Sequence, residues 1–277
     1  MQKILVPTEF TYLSKCALEL GMQVANKAQA TVDVVMVIKA DTEEPEEHLQ
    51  ENSARSRSQG LNPQLTQVAK TKAQKHVDEI KEWFPGLAVT PNILFGDPVS
   101  ALLDTISEQM VDLVIIGGDR YEPSDVSVDK FLRNATCPVL TVKCRLDNLE
   151  LYKDIIFLVD PEKDSEALIT YLADLQDLLG AKIHLLYVNT PGNTRFPGRG
   201  EEALKQYAKR YALKNVKLTC YDAENEKEGL LAYCGSFDHA LIAMAIHDRG
   251  FMEWLLSYNS TGEIIANSIH PVWTFKG

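Results

Sequence analysis

The chain carries nearly the same pattern twice, and this duplication constrains its fold more than any other feature. Asp112-Leu113-Val114-Ile115-Ile116-Gly117 leads to Thr136-Cys137-Pro138-Val139-Leu140-Thr141-Val142. Farther on, Leu241-Ile242-Ala243-Met244-Ala245 leads to Ile269-His270-Pro271-Val272-Trp273-Thr274-Phe275. Each copy is an apolar run, a polar loop, an amphipathic stretch, then X-Pro and a β-branched or aromatic strand. Each follows a longer segment that opens on another apolar strand, Lys3–Pro7 or Asp154–Val159. A length of 277 residues accommodates two such units, each large enough to bury its own core.

Apolar runs alternate with stretches of helical periodicity along the whole chain. The first half predicts strands at Lys3–Pro7, Thr31–Ile38, Val89–Phe95, Asp112–Gly117 and Val139–Val142. Between them it predicts helices at Ser14–Ala28, Gln64–Phe84, Pro98–Met110 and Val126–Ala135, with a long polar loop over Asp41–Pro63. The second half predicts strands at Ile155–Val159, Lys182–Val188, Lys217–Cys220, Ala240–Ala245 and Val272–Phe275. Its helices fall at Asp164–Leu179, Glu201–Tyr211, Glu226–Gly235 and Thr261–Asn267. Such alternation predicts α/β architecture, a five-stranded mostly parallel sheet in each half with helices on both faces. The units are 1–145 and 153–277, joined by the short charged link Cys144–Tyr152. Two equivalent units joined so briefly are expected to pack as a pseudo-twofold pair, as a homodimer would.

Composition narrows the function classes. A formal net charge of -11 argues against nucleic acid, whose phosphates need a basic face. No apolar run reaches the roughly 18 residues of a membrane span, and the N-terminus enters a strand without a signal-peptide pattern, so the expected location is cytoplasmic. The five cysteines, Cys16, Cys137, Cys144, Cys220 and Cys234, form neither zinc spacing nor a disulfide framework. Cys16 reads as core filler. Cys137 and Cys144 flank the last strand of the first half, where a redox role would need a cationic pocket.

In this order, Lys3-Ile4-Leu5-Val6-Pro7-Thr8-Glu9-Phe10-Thr11, Gly96-Asp97-Pro98, Asp112–Gly117 and Arg133-Asn134-Ala135-Thr136-Cys137-Pro138-Val139-Leu140 resemble a universal stress protein. The resemblance covers almost the whole chain as a tandem pair, with a degenerate second unit anchored by Val159-Asp160 and His270-Pro271-Val272. It implies two adenine-nucleotide-alpha-hydrolase-like domains whose last strands pair across the units. It also implies a stress-response module with ATP or another adenine nucleotide, and Mg, as ligand. The residues themselves fix no cofactor.

Many members of the family hold ATP through a loop resembling G-x2-G-x9-G-[S/T]. Its glycines let the backbone approach phosphates, and a Ser or Thr opens the following helix. Here Gly117 matches the first glycine, Arg120 stands at the second, and Asp125-Val126 fall where Gly-Ser/Thr belongs. Acidic side chains at that helix start suit the helix dipole but repel a triphosphate. In the second half Ala245, Asp248, Tyr258 and Asn259 occupy the motif positions, and all glycines are gone. The candidate nucleotide-binding residues are therefore Pro7, Thr8, Glu9, Val37, Gly117, Gly118, Arg120 and Ser127 in the first unit. In the second they are Asp160, His247, Arg249, Asn259, Ser260 and Thr261, although Ser260 or Thr261 serves equally as a helix cap.

Other motifs have structural readings. Gly96-Asp97-Pro98 predicts a helix cap at Asp97. His184 reads as a satisfied strand histidine, and His239 and His247 make no metal set with nearby cysteines. Glu43–Glu47 is a solvated acidic run, and Trp254-Leu255-Leu256 packs on the other unit or serves a partner. No catalytic residues group together, so the leading expectation is a cytoplasmic regulatory or binding module with eroded phosphate loops. The alternative is an adenine-nucleotide sensor with slow hydrolysis. An unidentified protein partner is expected, with the chain either monomeric as an internal pseudo-dimer or a homodimer of tandem chains.

Overall fold

The structure is a computed structural model describing residues 1–38, 63–82, 84–118, 126, 128–142, 148–159, 165–191, 200–246 and 270–276. Its first half runs β1 (Lys3–Pro7), α1 (Tyr12–Ala28), β2 (Thr31–Ile38), α2 (Pro63–Lys81), β3 (Val89–Phe95), α3 (Pro98–Gln109), β4 (Leu113–Gly117), α4 (Val128–Asn134) and β5 (Val139–Val142). The second half runs β6 (Asp154–Leu158), α5 (Glu166–Leu179), β7 (Lys182–Asn189), α6 (Gly200–Arg210), β8 (Val216–Asp222), α7 (Glu226–Cys234), β9 (Ala240–Ile246) and β10 (Val272–Lys276).

All ten strands form one sheet, ordered β3-β2-β1-β4-β5-β10-β9-β6-β7-β8. Each half is parallel throughout. The seam is antiparallel, with Val272 opposite Thr141, Trp273 opposite Leu140 and Thr274 opposite Val139. The last strands therefore pair across the halves, as the resemblance implies. At the seam Trp273 is 1% exposed, and the Thr274 hydroxyl donates to the Val139 carbonyl at 3.3 Å.

Strand side chains alternate between the faces, which splits the core into two layers. On one face Ile4, Val6, Ile115, Ile155, Phe157 and Trp273 pack beneath α1, α2, α5 and α6. On the other, Leu5, Val114, Ile116, Ile156, Leu186 and Val272 meet α3, α4 and α7. Both layers run through both halves. Burial on both faces explains why the strands read as nearly unbroken apolar runs.

Several element ends differ from the sequence reading, each for a local reason. Helix α1 begins before Ser14, because the Thr11 side chain caps it by accepting from the Ser14 N–H at 3.2 Å. Pro63 opens α2 instead of closing a loop, a position where its missing N–H costs nothing. Strand β8 is longer than expected, since its pairing with β7 continues to Asn189 opposite Asp222. The remainder of the expected loop, residues 41–62, and the expected helix at 261–267 lie outside the described residues.

The inter-half link is docked where it is described. Leu149–Leu151 forms a 3-10 turn, the Leu149 N–H donates to Gln23 at 2.8 Å, and Glu150 pairs with Lys27 of α1.

Candidate functional site

In each half the strand order reverses between the first and fourth strands, β1 and β4 or β6 and β9. Open α/β sheets bind ligands beyond the carboxyl ends of strands at such a reversal. In the first half, Pro7, Thr8, Glu9, Val37, Gly117 and Gly118 lie at the carboxyl ends of the adjacent strands β1, β2 and β4. Arg120, Ser127, Asp160, His247, Arg249, Asn259, Ser260 and Thr261 lie outside the described residues.

The first-half site is built from short-range polar contacts. Thr8 is 2% exposed, and its N–H extends the pairing with β2 by donating to the Val35 carbonyl at 2.8 Å. Its hydroxyl accepts from the Phe10 N–H at 3.3 Å and reaches the Ser14 hydroxyl at 3.5 Å. Phe10 adopts a left-handed φ of 61°, a conformation that costs energy for a bulky residue. This turn delivers the chain into Thr11 and the start of α1. Glu9 reaches across to the opposite loop, where its Oε1 accepts from the Val126 N–H at 3.2 Å.

The two glycines face protein. A Cβ at Gly117 would lie 2.5 Å from the Leu13 carbonyl carbon and 2.6 Å from its oxygen. The first turn of α1 thus rests on the end of β4. A Cβ at Gly118 would lie 2.7 Å from the Thr141 methyl, with Val128 behind it. The Gly118 N–H donates to the Val142 carbonyl at 2.9 Å, continuing the β4–β5 ladder. Sequence reasoning missed Phe10, Thr11, Leu13, Ser14 and Thr141. Thr11-Tyr12-Leu13-Ser14 carried a cap signal for two of them; the others become neighbours only through the fold.

Two polar constellations mark the opposite, amino-terminal edge of the sheet. The Lys3 ammonium pairs with Asp33 at 3.0 Å and donates to Gln109 at 2.7 Å. In the second half, His184 Nε2 lies 2.7 Å from Asp154 and Nδ1 lies 2.7 Å from the Tyr233 hydroxyl. That hydroxyl is 3.2 Å from Thr219. Because a carboxylate only accepts, Nε2 carries the proton toward Asp154, and neutral Nδ1 accepts from Tyr233. Burial holds the His184 imidazole below its ordinary range, against the raising effect of Asp154. His184 is thus a satisfied strand histidine. Asp97 caps α3, accepting from the Ser100 N–H at 2.9 Å.

Cys16 is buried in the core, as its neighbours predict. Burial pushes the Cys137 thiol up to about 12, which opposes thiolate chemistry there; Cys144 lies outside the described residues. Among the described residues, no group of three or more His, Cys, Asp or Glu could hold a metal ion. No described helix is long and apolar enough to cross a membrane.

Comparison with known proteins accords with this architecture. A universal stress protein from Archaeoglobus fulgidus DSM 4304 matches with a TM-score of 0.67, over 99% of this chain and 96% of its own, at 15% identity. A functionally unknown protein from Pseudomonas aeruginosa PAO1 matches with a TM-score of 0.59, over 100% and 92%, also at 15% identity. Such low identity establishes a shared fold and nothing finer. No curated protein matches in sequence. The model of the universal stress protein family matches residues 1–143. This duplicated, seam-paired α/β chain belongs to the universal stress protein family.

Proposed function

We propose that the chain is a cytoplasmic regulatory binding module of the stress response, acting through a protein partner instead of turning over nucleotide. One observation carries this reading: the first-half phosphate loop spends its described donors and glycines on the protein. The Gly118 N–H serves the β5 ladder, and the Val126 N–H serves Glu9. The space beside Gly117 holds the Leu13 backbone. A phosphate cradle needs free N–H groups and open glycine faces. Glu9, at the place of the family's usual Asp, accepts from the Val126 N–H. The test is mass spectrometry of small molecules released on denaturing freshly purified protein. The reading expects no stoichiometric nucleotide; one adenine nucleotide per chain would overturn it.

A second reading, an adenine-nucleotide sensor, draws on the gathering of Pro7, Thr8, Glu9, Gly117 and Gly118 at the strand-order reversal. It predicts that Arg120→Ala or Arg249→Ala weakens ATP binding in calorimetry. Unchanged affinity in both variants would remove the proposed phosphate contacts.

A further inference from the structure

Three of the chain's six histidines converge on the end of one helix. His184, on β7, bonds to Tyr233 near the end of α7. His270, just before β10, bonds through Nε2 to the carbonyl of Cys234, the last residue of α7, at 3.2 Å. His239, in the turn from α7 to β9, sets its ring edge-on to Tyr152 at 5.7 Å. His184 and His270 are 4% and 6% exposed. The ring of Phe237, in the same turn, meets His184 edge-on at 5.0 Å. Strand β7 and the residue leading into β10 thus hold the end of this helix through buried imidazoles.

We infer that the end of α7 and its turn into β9, residues 233–240, form an acid-released latch, closed while His184 and His270 are uncharged and loosened when they take up protons. Burial opposes protonation at both points and outweighs the partners that favour it. His184 faces Asp154 from β6, Tyr233 from α7 and Lys217 from β8, with Lys182 at the start of its own strand. The single carboxylate favours the charged ring; burial, the largest influence, and the two lysines oppose it. A proton on Nδ1 also forces Tyr233 to stop donating and to accept, passing its own proton toward Thr219. At His270 burial, the largest influence, and His239 oppose the charge and hold the ring below its ordinary range, against the hydrogen bonds to the Cys234 and Ala240 backbones, which favour it. Unfolded histidine takes its proton near pH 6.5. A histidine whose folded value lies lower contributes stability that is complete above about 6.5 and drains away as the pH falls toward the folded value.

Among its described residues, the first half has no such device at the equivalent place. The end of α3 and its turn into β4 are held by Lys3 on Gln109 and by Asp112, which accepts from the Gln2 and Lys3 N–H groups at 2.5 and 3.0 Å. Carboxylates and lysines keep their charge throughout the range in which histidine titrates. Opening the latch would uncover the apolar surface beneath Leu230 and Cys234, lined by Leu186, Val188 and Ile242.

Hydrogen exchange on the full-length protein tests this, at about pH 7.5 and about pH 5.5 with rates corrected for intrinsic chemistry. Peptides covering 226–240 are expected to lose about tenfold or more in protection at the lower pH, and those covering 98–113 to change far less. Equal loss in both regions, or none at 226–240, would overturn the latch. The His184→Gln, His270→Asn double variant is expected to erase the difference between pH values, and a difference that persists contradicts the inference. Should that variant fail to fold, imidazole titration by NMR decides: both histidines below 6.5 supports the latch, and either at or above the ordinary range overturns it.

Discussion

The two halves of the sheet place polar side chains at matching register positions and fill them with different chemistry. Lys3 opens β1, and Asp33 lies opposite Leu5 on β2. Asp154 opens β6, and His184 lies opposite Ile156 on β7. The carboxylate stands on the second strand in one half and on the first in the other, with a lysine or a neutral imidazole as its partner. The third member of each set, Gln109 or Tyr233, comes from the end of the helix covering that face. The slot requires a satisfied pair, because a buried polar group without a partner is costly, but it leaves open which groups form that pair. Only the second half filled the slot with a group that titrates near neutral pH. The two halves share the geometry of the slot and differ in its chemistry.

The largest expected effect comes from breaking the seam between the halves. Trp273→Ala should cost about 3–5 kcal/mol, because Trp273 is fully buried where β10 meets β5. Calorimetry should show both halves losing stability in one transition, since both core layers cross the seam; melting of one half alone would separate them. Next is Gly117→Ala, expected to cost about 1–3 kcal/mol through overpacking against Leu13. A glycine kept open for phosphate would tolerate that methyl, so denaturant unfolding of this variant sharpens the contrast between cradle and packing joint.

The polar slots come third. Asp154→Asn and Asp33→Asn should each cost about 1 kcal/mol near neutral pH. Near pH 5.5 the Asp154→Asn loss should grow, because charged His184 then has no carboxylate, whereas the Asp33→Asn loss should stay constant. Parallel curves for the two variants in urea melts at both pH values would break the comparison. The smallest effect is Asp97→Ala, about 1 kcal/mol or less from the lost cap, read as a small shift in melting temperature.

Much of this fold was legible in the sequence because helix–strand alternation and buried parallel strands leave strong periodic signals. The seam was foreseeable through the family resemblance, which implies that the last strands pair across the units. The site was legible only in outline. Gly117 read as a candidate phosphate contact through the family's loop motif, whereas its packing against Leu13 depends on the turn through Thr8, Phe10 and Thr11, which no motif announces. Glu9 read as a ligand carboxylate, and its partner Val126 is 117 residues away in sequence. The Asp154–His184–Tyr233 set escaped notice because its members come from three elements with no spacing rule to join them.

The most direct test of the central account is calorimetric titration of nucleotide-free protein with Mg-ATP. A partner-binding module whose Gly117, Gly118 and Val126 are engaged by protein predicts no saturable heat at millimolar nucleotide and no accompanying rise in melting temperature. Saturable binding would contradict it, and at a ligand concentration one hundred times the Kd would stabilise the fold by about 2.7 kcal/mol.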